Sequence, residues 1–187
     1  ERSVFTKDDI EKISNGGAMD IMSLSVITNQ SDSLKLRTAS KTISGKDIDS
    51  ETMKLFRQRL LATVQDTVNP GVGIAAPQVG INVKMIYVQR FDKPGEPFEV
   101  YYNPVIYEYG DSIKEGREGC LSVPGVMGYV DRSQNIGIEY LDSTSTSKNE
   151  KISGFTAVIF QHEIDHLTGI LYFDRISGGY NSLISED

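Results

Sequence analysis

The chain predicts an α+β fold, mixed and antiparallel β-sheets around one central buried helix, and three observations carry that reading. Apolar residues recur at helical spacing over residues 51–68. Short strand-like runs separated by turn signals fill the middle of the chain. Residues 156–168 form an almost unbroken apolar run that passes into His, Glu and Asp. A helix that is apolar on most sides cannot face water, so the strands before it must enclose it.

Taken in order, residues 1–22 mix charges with Ser, Asn and the pair Gly16-Gly17 and hold no sustained period. They predict an N-terminal arm that is poorly ordered or carries one short helix. Over residues 51–68, Met53, Phe56, Leu60, Leu61, Val64 and Val68 line one face of an amphipathic helix, with Ser50 as its N-cap and Asn69-Pro70-Gly71 as its stop. Residues 83–88, 100–107 and 136–140 read as strands, the last from the alternation of Ile136, Ile138 and Tyr140 with Gly137 and Glu139. Pro94-Gly95, Gly110-Asp111 and the polar residues 143–149 supply the turns. The late helix ends near Gly169, where a terminal glycine belongs. Residues 177–187, rich in Gly, Ser and Asn, predict a flexible tail. The expected organisation is an arm (1–22), a single domain (23–176) and that tail (177–187).

A chain of 187 residues with 39% apolar content can bury one core but is short for two domains. Its formal charge of −7 leaves no general basic field, which argues against direct nucleic-acid binding through phosphates. No apolar run reaches the ~18 residues of a membrane span, and no basic segment followed by an apolar one opens the chain. A soluble, cytoplasmic protein is expected. The first residue is Glu1 rather than Met, so a removed upstream segment stays open. The single cysteine, Cys120, excludes an internal disulfide framework and leaves a core thiol, a reactive thiol or a metal ligand.

His162 and His166 are four residues apart, so one helix presents both on the same face with ~6 Å between them, close enough to share a cation. Glu163 follows the first histidine and can reach a water on that cation without binding it directly. Two histidines satisfied within a core is the plainer alternative. A hydrolytic metal takes three protein ligands and keeps one position open. The chain has 2 histidines, and the extended protease pattern would put a third at position 172, which is Tyr172. Glu186 has the spacing of a protease's glutamate ligand, but a polar tail offers it no rigid support. Cys120 is the better third ligand. Glycine in Glu118-Gly119-Cys120-Leu121-Ser122 lets backbone approach a metal closely, and a thiolate suits zinc or ferrous iron.

Three segments now stand together: Gly71-Val72-Gly73-Ile74-Ala75-Ala76-Pro77-Gln78-Val79-Gly80, then Glu118-Gly119-Cys120-Leu121-Ser122, then Gln161-His162-Glu163-Ile164-Asp165-His166-Leu167. In order and separation they resemble the signature motifs of the peptide deformylases, and the resemblance spans residues 34–176. It implies that the domain 23–176 is a single catalytic unit, which removes the formyl group from the N-terminal formylmethionine of newly made polypeptides and releases formate. It implies one divalent ion on Cys120, His162 and His166, natively Fe2+, with Zn2+, Ni2+ or Co2+ able to replace it. Glu163 would take a proton from the attacking water and return it to the departing amine. The Gln78 side-chain amide and the Leu121 N–H would donate to the oxyanion. Val72 and Gly73 would hydrogen-bond the substrate strand, and Val158 and Ile159 would receive the methionine side chain. Glu118 would pair with Arg132 and fix the loop that carries Cys120.

The chain departs from that family in three places. Asp32-Ser33-Leu34-Lys35-Leu36-Arg37 lacks the proline of the family's Asp-Pro-x-Leu-Arg segment. Met127 stands where many bacterial members carry a groove-lining arginine, so substrate preference is expected to differ. An acidic, glycine-containing end replaces a long, often basic helix implicated in ribosome docking, so tight docking through the tail is not expected. A zinc metallopeptidase using Glu186 and an inactive binding domain are the competing readings.

Overall fold

Residues 3–186 are described by a computed structural model, and ordered structure begins within the arm. The Thr6 side chain accepts from the Asp9 N–H, and the Asp9 carboxylate accepts from the Thr6 N–H, so a reciprocal cap starts α1 (Lys7–Ser14). The buried Arg59 guanidinium donates to the carbonyls of Lys12, Ile13, Asp20 and Ile21, tying the end of α1 and the following turn to a later helix. Val4, Phe5, Ile13 and Met22 then share one core cluster with Phe56 and Leu60. Of the two expectations for the arm, the short helix is the one observed.

Two short helices follow, α2 (Gln30–Leu36) and α3 (Gly45–Ile48), and then the amphipathic α4 (Glu51–Val64). Ser50 caps α4 by accepting from the Met53 N–H at 3.2 Å, as its position predicted. Met53, Phe56, Leu60 and Val64 are fully buried. The helix stops at Val64, short of the expected residue 68, because the Val64 carbonyl is taken by the Gly71 N–H at 2.9 Å and the chain turns away, leaving Val68 exposed.

The strands are β1 (Gly73–Ala75), β2 (Met85–Gln89), β3 (Phe98–Tyr109), β4 (Ile113–Cys120), β5 (Val123–Ser133), β6 (Asn135–Leu141), β7 (Ser147–Ser153) and β8 (Ile184–Ser185). They form an antiparallel five-stranded sheet ordered β1-β2-β3-β6-β7 and an antiparallel three-stranded sheet ordered β4-β5-β8. Period-two alternation divides the larger sheet between two layers. Met85, Tyr87 and Tyr102 face the cluster containing α4, whereas Ile86, Val88 and Tyr101 face Ala157, Ile159 and Phe160 of the final helix, α5 (Gly154–His166). That helix also packs against β5 of the smaller sheet, so it lies between the two sheets as the sequence predicted.

The composition of residues 177–187 suggested a flexible tail; residue 187 lies outside the described residues, and residues 177–186 carry secondary structure. Gly179–Ser182 forms a 3-10 turn, and β8 adds to the smaller sheet with Ile184 opposite Met127 and Ser185 opposite Val126. Pairing a free strand edge supplies backbone hydrogen bonds that polar side chains do not advertise. Among the described residues no helix is long and apolar enough to cross a membrane.

Candidate active site

Helix α5 places His162 and His166 one turn apart, with ring centroids 5.1 Å from each other. Cys120 arrives from the end of β4, and its Sγ lies 3.3 Å from His166 Nε2. One donor atom each from Cys120, His162 and His166 lie within 4.8 Å of one another. Tetrahedral bonds of about 2.3 Å to sulfur and 2.1 Å to nitrogen would set such donors roughly 3.4–3.6 Å apart, so little movement separates this trio from a metal's coordination shell. Among the described residues no fourth Cys, His, Asp or Glu joins the group. Three protein donors rather than four is the pattern of a catalytic metal.

The orientation of His162 is fixed from behind. Its Nδ1 lies 2.8 Å from Glu118 Oε2, and Arg132 donates to both oxygens of Glu118, at 2.8 and 3.0 Å. Nδ1 therefore carries the proton and Nε2 is free to bind a metal. Burial opposes ionisation of Glu118, but the hydrogen bonds from His162 and Arg132 prevail and hold its carboxyl down at about 2. Burial would likewise lower the His162 pKa, yet its contacts with Cys120 and Glu118 hold it well above the ordinary value. His166 goes the other way, lowered by burial and by repulsion from His162 and Arg132.

Two residues of this support were missed by the sequence reading. Arg132 also donates to Asp165 Oδ2 at 2.7 Å, and Arg175 donates to the same oxygen at 2.6 Å, so an alternating chain of charges runs from the surface to His162. Asp165 is buried, and a buried carboxylate by itself signals that a cationic partner must exist.

Glu163 is buried beside the donors, and its Oε2 has no hydrogen-bond partner among the described residues. Burial, against the pull of His162, raises its carboxyl to about 7. The Gln78 amide is oriented by the Ala75 N–H, which donates to Oε1 at 2.8 Å. Its Nε2 therefore points towards Cys120 Sγ at 3.5 Å and Ser122 Oγ at 3.4 Å. The Leu121 N–H has no acceptor among the described residues. Backbone from the N-terminal segment fixes both loops: the Ser25 N–H donates to the Gln78 carbonyl at 2.7 Å and the Ile27 N–H to the Ser122 carbonyl at 3.0 Å.

Gln78, Glu118, Cys120, Leu121, His162 and Glu163 border one cleft of about 750 Å³, lined also by Val72, Gly73, Val158, Ile159 and Phe155. β1 is the free edge of the larger sheet. The Val72 carbonyl is taken by the Gln89 N–H at 2.8 Å, so the next residue, Gly73, turns its N–H and C=O outwards to the cleft. Of the two residues expected to bond a substrate strand, Gly73 has the free edge and Val72 has spent its carbonyl. Gly73 has a second reason to lack a side chain: a Cβ there would fall 2.6 Å from Glu163 Oε1. Glu186 also lines the cleft but stands outside the donor group, while Tyr172, in place of a third histidine, stacks on His162 with centroids 6.0 Å apart. Met127 is buried, pairs with Ile184 of β8 in the sheet, and does not line the cleft.

Fold and site define a metal-dependent hydrolase. The family model described as polypeptide deformylase matches residues 24–181. The chain is 37% identical over 148 residues to "Peptide deformylase 2" of Nostoc sp., covering 76% of this chain and 82% of that one. It is 38% identical over 153 residues to "Peptide deformylase 1B, chloroplastic/mitochondrial" of Arabidopsis thaliana, covering 81% and 54%. The Met-Ala-Ser-bound crystal structure of a class I type b peptide deformylase from Acinetobacter baumannii superposes with a TM-score of 0.74 at 33% identity, covering 83% of this chain and 98% of that one. The chain belongs to the polypeptide deformylase family.

Proposed function

We propose that this chain removes the formyl group from N-terminal formylmethionine with the residues gathered in the cleft: Cys120, His162 and His166 as metal ligands, Glu163 as proton carrier, and Gln78 and Leu121 as oxyanion donors. The observation that carries this reading is the juxtaposition of a three-donor group with a buried, unpartnered carboxylate in a cleft beside a free strand edge. A divalent ion held there supplies Lewis-acid polarisation and a water acidified towards ~7. One thiolate and two imidazoles suit Fe2+, which we take as the native metal, and also Zn2+, Ni2+ or Co2+.

The substrate lies along β1, its backbone bonded to the outward N–H and C=O of Gly73. Its methionine side chain fills the apolar wall made by Val158 and Ile159. Glu163 Oε2 accepts the proton of the attacking water and delivers it to the amine nitrogen as the C–N bond breaks, because an unprotonated amide nitrogen is too poor a leaving group. The Gln78 Nε2–H and Leu121 N–H donate to the oxygen that gains charge, and the Ala75 bond to Gln78 removes the need to reorganise at that moment. Products are formate and a peptide with a free amine.

The catalytic unit in this reading is residues 23–176, with the arm joined to its core and the tail to its smaller sheet. The relatives' Met-Ala-Ser complex supports a short peptide as the test substrate. The proposed compartment is the cytoplasm; the Arabidopsis relative's name makes an organelle that starts synthesis on formylmethionine the other candidate. Formate release from formyl-Met-Ala-Ser, measured under low oxygen with Fe2+ supplied, tests the function. Cleavage of unformylated peptides without formate would instead identify a peptidase.

A further inference from the structure

We infer that Glu186 forms a subsite for a cationic side chain near the start of the substrate peptide, an inference that rests on the deformylase reading of the cleft. The Glu186 N–H donates to the Gly125 carbonyl at 3.1 Å, which ties this end of the tail to the rim of the cleft. From there the side chain crosses the start of β5 to β4. A Cβ added to Gly119 would fall 2.8 Å from Glu186 Oε1, so the carboxylate occupies the space that a side chain at position 119 would take. Gly119 immediately precedes Cys120, and both line the cleft with Glu186.

A substrate whose formyl carbon sits at the Cys120, His162 and His166 donors carries its second and third residues roughly 6 to 9 Å further along, from the 3.8 Å spacing of consecutive Cα atoms. Laid against the β1 edge, those residues pass Gly119 and the carboxylate above it. A formylated N-terminus has no ammonium group, so a Lys or Arg side chain is the first cation such a peptide can present. Among the described residues the Glu186 carboxylate has no hydrogen bond or ion pair. The other carboxylate on this wall, Glu118, is neutralised by Arg132. Arg117, among the described residues the one Lys or Arg lining the cleft, projects from the same face of β4 two residues before Gly119 without pairing to Glu186. It weakens the negative field there, so the preference is modest.

The test compares kcat/KM for formyl-Met-Xaa-Ser and formyl-Met-Ala-Xaa, with Xaa as Lys, Gln or Glu, on the wild type, Glu186→Gln and Glu186→Lys. An exposed charge pair is worth up to about fivefold, so the wild type should favour Lys over Glu by about five- to tenfold at one of the two positions. That ratio should approach one in high salt, where the screening length falls to about 3 Å. It should fall within about twofold of one in Glu186→Gln and reverse in Glu186→Lys. Equal use of Lys and Glu peptides by the wild type, or the same ratio in all three proteins, would overturn the subsite alone. No formate from the Gln peptides with the wild type would overturn the deformylase reading and the subsite with it.

Discussion

Adding one methyl group at Gly73 separates proton transfer from metal binding. An ideal Cβ at that position lies 2.6 Å from Glu163 Oε1, 2.9 Å from Glu163 Cγ and 2.8 Å from Ile159 Cγ2. Restoring ordinary contact at about 3.5 Å drives the carboxylate back by roughly 0.9 Å. Misplacing a reacting group by about 1 Å costs on the order of a hundredfold, or ~2.7 kcal/mol of barrier. The backbone at Gly73 is not in the left-handed region, so strain there adds nothing. The nearest atom is the tip of a flexible side chain, and overpacking should cost the fold only about 1–3 kcal/mol, a fall in Tm of about 2–10 °C. Gly73→Ala should therefore bind one metal per chain, unfold cooperatively, and lose about a hundredfold in kcat for formate release. Stopped-time formate assays beside metal analysis and thermal unfolding measure all three. A variant whose kcat stays within about threefold of the wild type would remove Glu163 from the proton path, and a variant without metal would show that Gly73 shapes the donor group instead.

Replacing Cys120 with Ala should abolish tight metal binding and formate release together; full formate release in that variant would eliminate Cys120 as a ligand. Glu118→Gln keeps the size of the side chain but removes the charge that holds His162 Nδ1 and Arg132. Metal affinity, read by competition with a chelator, should fall about 10- to 100-fold, and no change would show that Glu118 serves the fold alone. Acid should destabilise the protein through carboxylates bound to Arg90, since Asp92 is lowered chiefly by its hydrogen bond to Arg90, and Glu150, despite burial, by Tyr140 and Arg90. Both groups have folded pKa values below their unfolded ones, so the unfolded chain binds more protons and stability is lost as pH falls below about 4. The urea midpoint should drop from pH 5 to pH 3, and less steeply in Arg90→Met; parallel slopes in the two proteins would contradict this origin.

Where burial imposes a period, the sequence was readable. Helix α4 has one fully buried stripe and a side-chain cap, and β6 alternates because one of its faces meets α5. The strands β4 and β7 were not legible for the opposite reason. Ile113–Cys120 exposes most of its side chains and buries Glu118, while Ser147–Ser153 is a polar edge with Ile152 alone fully buried. Their pairing comes from backbone hydrogen bonds to partners the local sequence does not specify. Residues 73–75 are too few to show any period. The tail had no apolar pattern, yet it completes a sheet edge.

At the site, His162, Glu163 and His166 lie within one helical turn, so local geometry alone brings them together. Cys120 could be reached only through donor chemistry and motif, because its approach depends on a β4 end packed against a helix more than forty residues later. The Arg132, Asp165 and Arg175 chain joins three separate elements, and no spacing rule connects them. Gly73 was expected to accommodate substrate backbone; its second role, leaving room for the Glu163 carboxylate that a Cβ there would meet, comes from a helix much later in the chain and shows in no local pattern.

Titrating the metal-free protein with Fe2+ under low oxygen, while following formate release from formyl-Met-Ala-Ser, tests the three-donor centre most directly. Activity should start from zero, rise in proportion to added metal and saturate at one ion per chain. Formate release that persists in the presence of a strong chelator, or that needs two ions per chain, would contradict a single centre built on Cys120, His162 and His166.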